Sequence, residues 1–144
     1  MLCREIMKQK VLSVSGSVSV NQAARKMKTE QISILPVCDA QGRPVGVVTD
    51  RDIVLRVCAE SLDGEATAVE QIMTKQPVRC SPDATLEHAE KLMLQHRTRR
   101  MLLADADDKL VGLITLADIA QHQSPLEAAR WLRELSARRY RVER

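Results

Sequence analysis

The chain has 144 residues, 44% of them hydrophobic, a formal charge of +3, a single Trp, a single Tyr and no Phe. That length can bury a core as one domain or as two small halves, and the core must be built from Val, Ile, Leu, Met and Ala. With Trp131 and Tyr140 as the only aromatics, the composition argues against a base-stacking platform for single-stranded nucleic acid. The cysteines, Cys3, Cys38, Cys58 and Cys80, show no CxxC pair and no disulfide-dense spacing, which points to a reduced, cytoplasmic interior. No apolar run approaches the roughly 18 residues of a membrane span, and no secretory leader is visible. Residues 125–144 hold Arg130, Arg133, Arg138, Arg139, Arg141 and Arg144 against Glu127, Glu134 and Glu143, so this tail carries the whole +3. A neutral body with a short basic tail is a weak argument for nucleic acid.

Taken in chain order, the first unit opens on "REIM" and a short extended piece, "KVLSV". Ser19-Val-Asn-Gln22 has the spacing of a capping box, and Val20, Ala23, Ala24 and Met27 follow at helical intervals. Next come the apolar run "ISILPVC", the polar turn "DAQGRP" and the run "VGVVT", which predict a β-hairpin. A second helix follows, with Asp50 as its expected N-cap and Ile53, Val54 and Val57 as its apolar stripe. The segment "SLDGEATA", 61–68, reads as a linker.

The order then repeats. "EQIM" is followed by "QPVRC", a helix opening at Thr85 with Leu86, Ala89 and Met93 on one face, and the hairpin "RRMLLA", "DADDK", "LVGLIT". A shift of 66 residues aligns Ile6–Ile53 with Ile72–Ile119 without a gap, with 12 identities in 48 positions. A unit present only twice suggests two halves facing each other more than a solenoid, which needs three or more. The expected fold is therefore α+β, two β-α-β-β-α repeats packed sheet to sheet about a pseudo-twofold axis. The expected boundaries are 1–60, a linker at 61–68, 69–123 and a C-terminal helix in 124–144. That last helix has Ser124 as N-cap, Pro125 at the first turn, Glu127 at the third position, and Ala128, Trp131, Leu132 and Leu135 on one face.

Both copies carry Gly-x-x-Thr-x-x-Asp where a strand runs into a helix: Gly46, Thr49 and Asp52, then Gly112, Thr115 and Asp118. Ligands gather at such strand ends, where backbone N–H groups favour an anion. A glycine admits close approach of a flat group, a threonine hydroxyl can donate to a phosphate or sugar oxygen, and a carboxylate can accept from both hydroxyls of a ribose cis-diol. The competing explanation is structural: turn, β-former and helix-start residue. The copies also differ. The first has Asp50 and Arg51 beside Asp52; the second has Leu116 and Ala117, with Arg97, Arg99 and Arg100 near its hairpin strand as candidate phosphate contacts.

Taken together, the "IM" start, the "LPV-D" and "VG-h-h-T-x-x-DI" strings and their duplication resemble the cystathionine β-synthase domain, over roughly residues 3–123. The resemblance implies that Gly-h-h-Thr-x-x-Asp holds the ribose and phosphate of an adenosine compound (AMP, ADP, ATP, S-adenosylmethionine or a nicotinamide dinucleotide) in clefts between the repeats. Candidate base contacts are then Leu12, Ile34, Pro36, Val47, Val78 and Leu113. "MLL", 101–103, departs from the "LPV" of the first copy at the base-binding edge of the second site. Similarity to the regulatory modules of inosine monophosphate dehydrogenase and AMP-activated protein kinase implies energy sensing, with the adenosine nucleotide as regulatory ligand and an effector protein in trans. A twofold homodimer is expected, through apolar faces at Val20–Met27 and Leu86–Met93.

No catalytic constellation or catalytic cofactor is expected. Asp105, Asp107 and Asp108 lack the Gly and Glu of a calcium loop, and His88, His96 and His122 lack metal-ligand spacing. The alternatives from other classes are a ligand-free dimerisation or scaffold module and a tail-driven nucleic-acid binder.

Overall fold

The computed structural model describes residues 1–137; Arg138, Arg139, Tyr140, Arg141, Glu143 and Arg144 of the basic tail lie outside the described residues. The chain is α+β, with two sheets and two compact units. One unit comprises Lys10–Pro77 with Ala104–Leu110; the other comprises Met1–Gln9, Val78–Leu103 and the chain from Val111 onward.

In the first of these, β1 (Val14–Ser15), β2 (Ile34–Cys38), β3 (Pro44–Thr49) and β4 (Thr74–Lys75) form a sheet in that order. β1 runs parallel to β2, β2 antiparallel to β3, and β3 antiparallel to β4. Helix α1 (Val20–Glu30) begins at the expected box, with Gln22 N–H donating to Ser19 Oγ at 3.1 Å and Ser19 N–H to Gln22 Oε1 at 3.0 Å. Its Val20, Ala23 and Met27 pack with Leu35, Val37, Val48, Val57, Val69 and Ile72 in one core. Helix α2 (Asp50–Ile53) passes directly into a π turn over Val54–Cys58, and α3 is Val69–Ile72.

The other unit mirrors this arrangement. β5 (Arg79–Cys80), β6 (Arg100–Ala104) and β7 (Leu110–Thr115) form a three-stranded sheet, with β5 parallel to β6. Helix α4 (Leu86–His96) is capped by Thr85, whose hydroxyl accepts from His88 N–H at 3.2 Å. Leu86, Ala89 and Met93 pack with Cys3, Met101, Leu103, Ile114 and Ile119. Helix α5 (Leu116–Ala120) and helix α6 (Pro125–Ala137) complete it, and Glu127 N–H reaches Ser124 Oγ at 3.3 Å as the tail sequence predicts.

Both hairpins turn on an aspartate. Asp39 Oδ1 accepts from the N–H groups of Gln41 and Arg43, and Asp105 Oδ1 from those of Asp107 and Lys109, each at 2.9 Å. A side chain that satisfies its own turn's backbone holds the turn closed. The left-handed position in each turn is Gly42 (φ 78°) and, 66 residues on, Asp108 (φ 61°).

Two expectations change here. The stripe on the helix after β3 does not hold: Val57 is buried and Ile53 packs on the core, but Val54 is 55% exposed, because the π turn widens the spiral and rotates it outward. The faces assigned to association, Val20–Met27 and Leu86–Met93, are buried in their own cores. The large apolar side chains that do face solvent include Val54, Leu55 and Leu62.

Candidate functional site

In each copy the strand before the short helix alternates faces. Along β3, Gly46 and Val48 are buried, while Val47 and Thr49 are half-buried on the other face. Ile34 lies opposite Thr49 and Pro36 opposite Val47 on β2, so Ile34, Pro36, Val47 and Thr49 share one face of this sheet. Four of the residues expected around a ligand are therefore brought together. Leu12, 38% exposed, lies before β1.

Thr49 is the N-cap of α2, not Asp50. Its hydroxyl accepts from Asp52 N–H at 3.1 Å, and its own N–H donates to Asp52 Oδ2 at 3.0 Å. Asp50 is the first helical residue; its N–H donates to Ser33 O at 3.1 Å, and its carboxylate accepts from the adjacent Arg51 N–H. The reciprocal partner three residues on decides the cap, and Asp50 has none there. The cation against Asp52 is Arg56, at 3.9 Å one turn later, and not Arg51. The i,i+4 spacing of Asp52 and Arg56 was the signal for that pair in the sequence.

The second copy repeats the box. Asp118 N–H donates to Thr115 Oγ1 at 3.1 Å, and Asp118 Oδ2 accepts from Thr115 N–H at 2.8 Å and from its hydroxyl at 2.7 Å. In both copies the box fixes the carboxylate through Oδ2, which sets the direction of Oδ1.

The glycines have a packing role that the sequence reading missed. A Cβ at Gly46 would stand 2.4 Å from Met73 Sδ and 3.0 Å from Thr74 O; one at Gly112 would stand 2.5 Å from Met7 Sδ. Each glycine faces the same side as the core residues and admits the methionine of an "IM" segment, on the face opposite the threonine. The segments themselves join the sheet edges: Thr74 pairs with Val47 and Lys8 with Leu113. Each glycine is therefore served by the "IM" of the other repeat, at the same 66-residue offset.

Arg99 and Arg100 line a groove of about 710 Å³ with Thr115, Leu116, Ala117, Ala120 and, from α6, Ala128, Ala129 and Leu132. Leu116 N–H donates to Arg99 O at 2.8 Å, which ties the end of α5 to the start of β6. Arg97 is not with them. It is the left-handed C-cap of α4 (φ 52°) and lines a different hollow of about 430 Å³ with Lys91, Gln95 and Glu134. Leu113 follows Gly112 on the face of Thr115, whereas Val78 packs against the helix-side core. Among the described residues no three His, Cys, Asp or Glu side chains cluster to hold a metal, and no helix is long and apolar enough to cross a membrane.

Comparison with known proteins gives a consistent picture. The CBS domain model matches twice, at residues 3–58 and 69–124. The CBS domain-containing protein YhcV of Bacillus subtilis is 37% identical over 126 residues, 88% of either chain. The crystal structure of Hypoxic Response Protein I with two coordinated zinc ions superposes with a TM-score of 0.77 at 31% identity, over 86% of this chain and all of that one. The CBS domain pair of protein MJ0100, in complex with 5′-methylthioadenosine and S-adenosyl-L-methionine, shares the fold with a TM-score of 0.75 at 24% identity, over 85% and 98% of the two chains.

Proposed function

This chain belongs to the CBS domain family, and from that premise we propose that it is a regulatory module whose two Gly-Thr-Asp sets bind an adenosine-containing ligand. AMP, ADP, ATP, S-adenosylmethionine and NAD-type compounds share the adenosine. The observation that carries the reading is the duplicated box. Thr49 and Thr115 each hold a carboxylate by one oxygen at the end of a strand, beside apolar residues of the same face. A carboxylate held in this way needs little reorganisation to accept from two ribose hydroxyls. The adenosine ligands of the MJ0100 pair support this class of ligand. Signalling then runs through a change in shape or association to an effector in trans, with energy sensing as the outcome if adenine nucleotides are bound. No catalytic role is assigned to any residue.

Association is placed at Val54, Leu55 and Leu62, which are exposed, in a homodimer. The repeats, their linker at 61–68 and the C-terminal helix from 124 are the proposed units of organisation.

A second reading has its own observation. Capping and Met–Gly packing account for Gly46, Thr49 and Asp52 without any ligand, as a dimerisation or scaffold module would need. Thermal shift against AMP, ADP, ATP, S-adenosylmethionine and NADH separates the two. A Tm rise with at least one of them, lost in the double variant Asp52→Asn/Asp118→Asn, is expected for the sensor. The asparagine keeps an acceptor for the cap N–H while removing the charge and the second acceptor oxygen that a cis-diol would use. No rise with any member of the panel would favour the scaffold.

A further inference from the structure

Helix α6 gives the second repeat a wall that the first repeat does not have. After α2 and its π turn the first repeat runs into the 61–68 segment, whereas after α5 the chain folds α6 back so that Ala128, Ala129 and Leu132 line the same groove as Arg99, Arg100 and Thr115. The groove's volume, about 710 Å³, falls within the roughly 300–1,000 Å³ of small-ligand sites. Its two sides are chemically unlike. Arg99, Arg100 and Thr115 stand with the apolar Leu116, Ala117 and Ala120 on one, and α6 contributes only Ala128, Ala129 and Leu132 on the other.

We propose that α6 is the specificity wall of the second ligand site, with Ala128, Ala129 and Leu132 setting how large an anionic 5′ substituent can lie beside Arg99 and Arg100. The inference rests on the reading of Thr115 and Asp118 as the ribose-holding pair. With the ribose fixed there, the groove is the space next to it. Arginine side chains lining that space select phosphates by charge-assisted bonds. The alanines matter because they are small: a longer side chain at either position would occupy the volume a phosphate chain needs. The first site has Ser33 and Ile34 in the places of Arg99 and Arg100, and Arg51 in the place of Ala117, so its phosphate charge would come from a different element.

The test uses the full chain carrying Asp52→Asn, so that calorimetry reads the second site, with ATP and adenosine as probes. Ala129→Leu keeps a strong helix former at an exposed position. Leu132→Trp, where the leucine is 52% exposed, fills the groove from its other end without disturbing a buried side chain. Each is expected to weaken ATP at least tenfold and adenosine less than twofold. Equal losses for the two probes, or none for ATP, would overturn the wall while leaving the ribose pair in place, provided that Asp118→Asn still abolishes binding. If Asp118→Asn changes nothing, the ribose assignment fails and the wall fails with it.

Discussion

The two repeats keep the same packing roles in the repeated turn and differ in the residues around it. Every residue of the doubled Gly-Thr-Asp-Ile string has a structural partner in both copies. Gly46 and Gly112 admit a methionine, Thr and Asp close the same box, and Ile53 and Ile119 pack on their cores. At the candidate sites the copies differ at Ser33/Arg99, Ile34/Arg100, Asp50/Leu116 and Arg51/Ala117, and α6 lines the groove beside the second set. Duplication alone therefore explains why the turn is written twice, and the divergent positions are what would make two sites unequal.

The largest effect should come from filling the glycines, and it should differ between copies. At Gly46 a Cβ meets both the Met73 thioether and the Thr74 carbonyl oxygen at 3.0 Å, and the backbone oxygen cannot swing aside; at Gly112 the three nearest atoms all belong to the flexible Met7 side chain. Gly46→Ala is expected to cost about 2–3 kcal/mol and Gly112→Ala about 1 kcal/mol, by overpacking. Denaturant unfolding checks this. Adding Met7→Ala to Gly112→Ala should recover part of the loss, and strict additivity of the two changes would contradict the packing account.

Charge at the two sites comes next. Arg51→Ala should weaken ATP several-fold more than adenosine at the first site, because only phosphates use that cation. The Arg99→Ala change should do the same at the second. If Arg51→Ala lowers ATP and adenosine affinity alike, the residue acts on the fold and the sites are not distinguished by their cations.

The caps should give smaller and more similar effects. Thr49→Ala and Thr115→Ala each remove an N-cap, at a cost of about 1 kcal/mol, while the serine variants should retain most of it. Thermal unfolding is sufficient to measure these.

The smallest effect belongs to the second repeat alone. Glu90, 5% exposed on α4, accepts from Gln123 Nε2 just before α6, and Gln123 Oε1 is buried without a partner among the described residues. Burial, with the Glu127 and Glu87 carboxylates near it, raises the Glu90 pKa against a lowering from the Gln123 hydrogen bond. The folded chain therefore holds this proton where the unfolded chain has released it. The stability it contributes is full below the unfolded value and is lost as pH rises through the folded one. A protonated Glu90 could also donate to Gln123 Oε1, and a glutamine would supply the same donor permanently. Glu90→Gln should flatten the decline of Tm as pH rises above the ordinary glutamate range. A parallel decline in the variant would assign the pH dependence to other groups.

Much of this contrast could be read in the sequence, and what could not has a physical cause. Ser19–Gln22, Thr85 and Ser124 were legible because a cap and its partner lie within one turn, and the hairpins because two apolar runs flank a short polar turn. Thr49 and Asp50 compete for the cap in the sequence because both residues can cap, and only the reciprocal bond from Asp52 decides between them. The exchange of Met7 and Met73 between repeats was hidden, since pairing across 66 residues leaves no local period. Arg97 and Arg99 are two residues apart, yet the left-handed cap at Arg97 turns the chain so that they line different hollows. The π turn was invisible for a similar reason: the string Asp50–Cys58 reads as one ordinary helix until the spiral widens.

The central claim, that the boxed aspartates hold a ribose, is tested most directly by titration calorimetry of the wild-type chain with ATP and with 2′-deoxy-ATP. A carboxylate deprived of one of its two hydroxyl donors should cost the deoxy ligand roughly 1–3 kcal/mol of affinity. The same titration of Asp52→Asn/Asp118→Asn should show binding of neither ligand. Equal binding of ATP and 2′-deoxy-ATP by the wild type would remove Asp52 and Asp118 from the site and leave the repeated turn as packing alone.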